Sequence, residues 1–443
     1  MSPSRAPQSC PLRPLPALFL PVVVFLGLAL LACGSRDGEA PAQANGPEAR
    51  KARQEAAPAP APVLPGIDVL LRDSLHLLRG RRVGLITNHT GIDAQGRPSI
   101  DRLAEAPEVE LVALFSPEHG IRGTEEGGVE IVGGRDPVSG LPVHSLYGET
   151  RKPSPEMLAD LDLLLFDIQD VGARYYTYVS TMALAMEAAG ERGIPFLVLD
   201  RPNPIDGVRV QGNVLDPAFS TFVGLYPVPM RHGMTAGELA RLYRGEFGVE
   251  VDLRVVPAAG WRRSMRFPDT GLPWVPPSPN MPSVTSALHY PGTCLFEGTN
   301  LSVGRGTKEP FQVVGAPWLR ADALVTALEG YGLPGVRFQA ARFTPQDPGD
   351  GKFGDREVEG VRLLATSPTY DPTLAALALL REARKASGPR WEWRVAHFDR
   401  LAGTDALRLG LEEGATLEEL RRGWEEDLAG FRQQRQAYLL YPE

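Results

Sequence analysis

The chain has 443 residues, 43% of them hydrophobic and 23% charged, enough apolar material for one large buried core or two. Its formal net charge of -8 speaks against nucleic-acid binding, which needs a basic footprint. With three cysteines, of which Cys10 and Cys33 fall in or at the edge of an N-terminal leader, only Cys294 remains for the body of the chain, and no intrachain disulfide is expected there.

Arg5 and Arg13 precede an uncharged apolar run from Ala17 to Ala32, which ends in Leu30-Leu31-Ala32-Cys33 and is followed by Gly34-Ser35. This is the pattern of an export signal with its cleavage site. The run is shorter than the roughly 20 residues that span a bilayer, and Ala32 before Cys33 resembles a bacterial lipobox. The expectation is therefore a signal peptide over residues 1–32, with Cys33 lipidated and the chain exported and anchored to a membrane through its N-terminus. The alternative is an uncleaved helical anchor, against which Pro21 and the shortness of the run both count. Gly34 after the cysteine leans toward the outer membrane, facing the periplasm. Loss of residues 1–32 removes Arg5 and Arg13 and moves the formal charge from -8 to -10. Residues 33–63, which run into "APAPAPVLPG" (57–66), read as an Ala/Pro-rich tether.

From residue 64 onward, short β-rich runs alternate with helical stretches. "RVGLIT" (82–87), "VELVALF" (109–115), "DLLLFDI" (162–168) and "IPFLVLD" (194–200) read as buried strands. "YVSTMALAMEAAGERG" carries apolar residues at helical spacing, with Gly190 and Gly193 near its end. The alternation predicts an α/β fold, a Rossmann-like parallel-sheet domain over residues 64–285. Beyond the proline-dense "GLPWVPPSPNMPS", a smaller α+β domain is expected over 286–443. It should contain a helix near 319–330, strands "GVRFQAARF" and "EGVRLLAT", a helix at 372–386 and a helical stretch over 416–437.

In a parallel sheet, loops after the strands share one rim, where ligands bind. The first strand ends in Asn88-His89 and the second in Pro117-Glu118-His119-Gly120. The third ends in Asp167-Ile168-Gln169-Asp170 and the fourth in Asp200-Arg201, followed by Asn203. Several carboxylates on one rim suit glycoside hydrolysis, in which one carboxylic acid protonates the leaving oxygen and a second group activates water or attacks the sugar. Glu118 is the first candidate, because Pro117 fixes one φ of its turn and Gly120 frees another; an isolated Glu there would merely cap a loop. Asp170 is the second candidate, and Asp167 reads as a strand terminator. Arg174, Tyr175, Tyr176 and Tyr178 follow at the start of the next helix, where phenols offer a sugar both an apolar face and a hydroxyl, or pack under the sheet. His89, His119 and His232 with Glu118 and Asp170 would make a metal shell, but no His-x-x-x-His or Cys-x-x-Cys pair is present. Hydrogen-bonding roles are expected instead, and no metal or cofactor. "VGRGT" (303–307) lacks the third glycine of a nucleotide loop, and no G-x-S-x-G elbow occurs.

Taken together, "GLITNHTG", "FSPEHGIRG", "LPVHSLYG", "FDIQDVGARYYTY", "DRPNPI", "RHGMTAGELA", "PSPNMP" and "GTCLFEGTNLSVGRGT" resemble the NamZ-type exo-β-N-acetylmuramidases, bacterial peptidoglycan glycosidases. The resemblance runs in order from about residue 66 to the end. It implies an active site between the two domains and release of N-acetylmuramic acid from the non-reducing ends of peptidoglycan fragments, by cleavage of its β-1,4 bond to N-acetylglucosamine. It implies Glu118 as the catalytic acid, with Asp170 orienting the acetamido group if catalysis is substrate-assisted. Substrate contacts are expected from Asn88, His119, Gln169, Arg174, Tyr175, Tyr178, Arg201, Asn203 and His232, and from Glu297, Asn300 and Arg305 of the second domain. Arg305 or Arg174 would pair with the lactyl carboxylate. One departure stands out: "EEGGVE" keeps Glu126 but has Val129 where relatives carry Glu, with Glu130 one step later. A rival reading of the same features is a lipoprotein that binds peptidoglycan without turning it over.

Overall fold

The computed structural model describes residues 62–122 and 133–443. The expected signal peptide, Cys33, nearly all of the tether, and Glu126, Val129 and Glu130 lie outside the described residues.

The first half is built on β1 (Arg82–Thr87), β2 (Glu110–Ser116), β3 (Gly134–Arg135), β4 (Pro142–Ser145), β5 (Leu163–Asp167) and β6 (Phe196–Leu199). A small antiparallel hairpin follows, β7 (Gln211–Val214) with β8 (Pro229–Arg231), and then β9 (Leu253–Val256). The large sheet has the order β3-β4-β2-β1-β5-β6-β9, parallel throughout except for the antiparallel edge strand β3. Its parallel strands, taken in chain order, lie as 3-2-1-4-5-6, the Rossmann order, with the direction of winding reversing between β1 and β5.

Alternation within the strands explains why the sheet is covered on both faces. Leu163 and Leu165 of β5, with Leu197 and Leu199 of β6, join Val83, Leu85, Ile67 and Leu114 in one apolar cluster. Leu164, Phe166, Phe196 and Val198 point the other way, into the main core. That second cluster continues into the C-terminal half, reaching Leu379 and Phe431, so the two halves share a core. The expected boundary at 285/286 falls at the start of the helix Val284–Thr293, whose buried Leu288 and Tyr290 belong to the same cluster.

The helix expected after β5 spans Tyr178–Glu191, so Arg174 to Tyr176 occupy the turn before it rather than its first turn. In the second half, β10 (Val313–Ala316), β11 (Val336–Phe343) and β12 (Val358–Ala365) form an antiparallel sheet of order β10-β12-β11. The helix Ala321–Glu329 packs on β11 and β12, and Pro372–Ser387 packs on both Ala321–Glu329 and Val284–Thr293. The stretch expected as helical over 416–437 is divided into Leu417–Arg422, Glu425–Gln434 and a 3-10 turn, because the chain breaks at Gly423-Trp424. Among the helices that went unforeseen are Val395–Ala402 and Ala406–Glu413, each stopped by a left-handed glycine, Gly403 and Gly414. The C-terminus returns to the first half, where the Tyr441 hydroxyl donates to Asp200 at 2.6 Å.

Candidate active site

Strand β2 ends at Ser116, and the chain turns at once. The amide of Gly120 donates to the Pro117 carbonyl at 3.1 Å, and two successive residues, His119 (φ +70°) and Gly120 (φ +75°), adopt left-handed backbone. A left-handed conformation is ordinary for Gly120 but costs free energy at His119, and such strain persists only where the surroundings hold it. The buried His119 ring meets Tyr178 edge-on, with centroids 6.5 Å apart. The turn presents Glu118, whose Oε2 accepts from the Thr177 hydroxyl at 2.5 Å, just before the helix Tyr178–Glu191.

Glu118 lines a cavity of about 420 Å³, a size that suits a small ligand. Tyr175 and Thr177 share its wall, Tyr147 and Arg151 come from the segment after β4, and Phe222 comes from the β7–β8 connection. The opposite wall belongs to the second half and carries Glu297, Arg305, Asp350, Lys352, Arg394, His397 and Arg400. Among the described residues, five arginines and lysines line the cavity against three carboxylates. The space is therefore electropositive and suits an anionic ligand.

The far wall is electrostatically tied together. Arg305 Nε lies 2.6 Å from Glu297 Oε1. Burial pushes the Glu297 carboxyl up, but the Arg305 guanidinium, with Lys352 and His397, more than offsets this and leaves it below its ordinary value. Lys352 donates to the carbonyls of Leu301 (2.9 Å), Phe296 (3.2 Å) and Glu297 (3.5 Å), and burial pulls its ammonium down to about 8 despite Asp350 and Glu297. Arg151 lies over the Phe222 ring at 4.5 Å.

Of the residues expected at the site, the cavity brings together Glu118, Tyr175, Glu297 and Arg305. Tyr175 lies on this wall with its hydroxyl bonded to the Pro291 carbonyl, while the Tyr178 hydroxyl donates to the Pro277 carbonyl at 2.6 Å. Several others bond to the backbone or to each other. Asn88 accepts from the amide and hydroxyl of Thr90. Gln169 donates to the carbonyls of Asp170 and Pro202, and Asn203 to that of Met234. Arg201 forms a bidentate pair with Asp167 at 2.6 and 2.9 Å and donates to the Ile92 carbonyl. Asn300 donates to the Arg390 carbonyl. Arg174 does not reach the cavity: its buried guanidinium donates to the carbonyls of Asn213, Val228, Leu401 and Ala402. Asp170 does not line it either. Its Oδ2 accepts from the Gly172 amide at 2.7 Å and lies 3.6 Å from Nε2 of the buried His232. Among the described residues, no group of three or more His, Cys, Asp or Glu side chains is placed to hold a metal ion.

Thr177, Arg151, Lys352, Arg394, His397 and Arg400 were not singled out from the sequence. Lys352 had a usable signal, the turn-rich "DPGDGKFGD" (347–355), in which Asp347, Gly351, Phe353 and Asp355 all take left-handed backbone. His397, one of seven histidines, had none beyond its scarcity.

The family profile "Exo-beta-N-acetylmuramidase NamZ, N-terminal" matches residues 83–285, and "Exo-beta-N-acetylmuramidase NamZ, C-terminal" matches residues 288–441. A protein of Bacillus subtilis (strain 168), "Peptidoglycan beta-N-acetylmuramidase NamZ", is 47% identical over 378 residues, covering 85% of this chain and 91% of its own length. Two crystal structures of DUF1343 family proteins from Bacteroides fragilis NCTC 9343 are similar. One has a TM-score of 0.80 at 38% identity, over 86% of this chain and 99% of its own. The other has a TM-score of 0.69 at 33% identity, over 86% and 100%.

Proposed function

The chain belongs to the NamZ family of exo-β-N-acetylmuramidases, and from that premise we propose that it hydrolyses the β-1,4 bond between N-acetylmuramic acid and N-acetylglucosamine, releasing the muramic sugar from the non-reducing ends of peptidoglycan fragments. The observation that carries the reading is Glu118, delivered by a left-handed turn and held by Thr177 on the wall of an electropositive cavity. Muramic acid is an anionic sugar, and its lactyl carboxylate complements that charge.

In this reading, the Glu118 carboxyl gives its proton to the glycosidic oxygen as the C1–O bond breaks. The carbonyl oxygen of the 2-acetamido group closes on C1 as internal nucleophile. Water then adds at C1, losing a proton to the Glu118 carboxylate, and the acetamido group is restored. The step needs no second carboxylate at attacking distance. Glu297, kept ionised by Arg305, faces the positive charge that develops on the sugar. Asp170 supports the strand-end loop through Gly172 and His232.

The test is direct: protein incubated with the disaccharide of N-acetylmuramic acid and N-acetylglucosamine either frees both monosaccharides or does not. A peptidoglycan-binding protein without turnover would bind the disaccharide and leave it intact. We propose in addition that the chain is exported and lipid-anchored at Cys33. Lipid labelling of the full chain, lost in Cys33→Ala, checks that part.

A further inference from the structure

The cations of the cavity are not equivalent. Arg305 has its Nε on Glu297, Lys352 spends its donors on carbonyls, and Arg151 lies across Phe222. The helix Val395–Ala402 is different. Arg394, His397 and Arg400 recur at intervals of three, a spacing that puts them on one face, and all three line the cavity.

His397 and Arg400 are bonded to each other, Nδ1 to Nη2 at 2.5 Å. A guanidinium has donors only, so Nδ1 must be the acceptor and the ring proton sits on Nε2. The charged groups around the imidazole are Arg400 from its own helix, Arg394 from the residue just before it, Lys352 from the 347–355 loop and Glu297 from the turn Cys294–Gly298. Burial, joined by the three cations, holds the ring neutral against the pull of Glu297 and keeps its pKa below the usual value. The ring is thus a fixed N–H donor between two arginines.

The helix is also held in place. Its last carbonyls, Leu401 and Ala402, accept from Arg174. At its start, the Arg394 amide donates to the Gly298 carbonyl at 2.8 Å. Gly298 itself leaves no room for a side chain, since a Cβ there would lie 2.4 Å from Phe398 Cα. A donor locked in one tautomer on a fixed helix is preorganised for one acceptor.

We propose that His397, oriented by Arg400 and flanked by Arg394, is the specificity-determining residue that recognises the lactyl carboxylate of muramic acid. This rests on the muramidase reading above and adds to it which groups of the second half distinguish the anionic sugar from its neutral counterparts. Nε2–H supplies the directed hydrogen bond and the two guanidinium groups supply the charge. Loss of a hydrogen bond to a charged group weakens binding by about tenfold or more.

The test compares affinity for N-acetylmuramic acid with affinity for the methyl ester of its lactyl group, measured by calorimetry on the intact protein. The wild type is expected to prefer the acid by about tenfold or more. His397→Ala should bring the two affinities to near equality, chiefly by weakening the acid. His397→Gln, which keeps an N–H donor, should restore most of the preference. Arg400→Ala should release Nδ1 and remove one of the cations that depress the ring, so that the histidine titration in binding of the acid moves to higher pH than in the wild type. A wild type with no preference, or a His397→Ala variant that keeps it, overturns the inference, as does an equal loss for both ligands. A wild type that hydrolyses the disaccharide while His397→Ala keeps the preference overturns this inference alone, whereas a wild type that leaves the disaccharide intact removes the muramidase reading and this inference with it.

Discussion

Arg174 Nη2 lies 2.7 Å from the carbonyl oxygen of Ala402, and through that bond a buried arginine of the first half closes the last turn of a helix from the second. The same side chain serves Leu401, Asn213 and Val228. Burial pulls its pKa down to about 10, which leaves it charged at neutral pH. Arg174→Met would take one donor from each of four buried carbonyls, of which Ala402 keeps the Asn213 side-chain amide and Val228 the Leu215 amide. The expected cost is about 3 kcal/mol or more of stability, measured by denaturant unfolding. Arg174→Lys should recover only part of it, since one ammonium cannot reproduce the guanidinium fork.

Gly298 carries a similar load at the opposite end of that helix. Gly298→Ala would force Phe398 and the Glu297 turn apart, because the added carbon meets Phe398 Cα at 2.4 Å. We expect KM for the disaccharide to rise several-fold while the folded protein persists with a lowered Tm. An unchanged KM would show that the approach of helix and turn is immaterial to the site.

Thr177 bonds to Glu118 at 2.5 Å, and that hydroxyl fixes one oxygen of the proposed acid. Thr177→Val keeps the shape and removes the donor. The expected loss is about tenfold or more in kcat with little change in KM. Thr177→Ser should recover most of the rate, an outcome that packing alone would not produce.

Lys352 makes the cavity sensitive to alkali. With burial holding its pKa at about 8, against 10.5 for an ordinary lysine, it loses its proton as pH rises through 8. The wall then has one cation fewer, so KM for the anionic substrate should increase above pH 8, and Lys352→Met should flatten that limb. Between pH 8 and 10.5 the unfolded chain holds this proton and the folded chain does not. This group therefore adds stability as pH rises across that window, and its burial cost is felt in full below pH 8. Unfolding free energy and KM should consequently move in opposite functional senses, one improving as the other worsens.

The parallel strands were legible because each is a continuous apolar run buried on both faces, as β5 and β6 illustrate. Glu118 was legible for a related reason, standing where a strand must end in a Pro-x-x-Gly turn. The fate of the other rim residues was not. Asn88, Gln169, Arg201 and Asn203 have the same composition and position as ligand contacts, yet each satisfies loop backbone or a buried partner. Spacing along a chain does not say which acceptor a side chain will meet. Lys352 and His397 were hidden for the converse reason: they reach the cavity through packing of the second half against the first, and no local period marks them. The helical stretch expected over 416–437 is helical but divided at Gly423-Trp424, where apolar residues continue and the backbone breaks.

In the proposed reaction Glu118 donates the proton. Glu118→Gln keeps the size and can still accept from Thr177, but it has no acidic proton to give. The decisive measurement is the rate of N-acetylmuramic acid release from the disaccharide by this variant, alongside its affinity for the sugar. We expect a loss of about 100-fold or more in kcat with affinity nearly unchanged. Hydrolysis at the wild-type rate would contradict it.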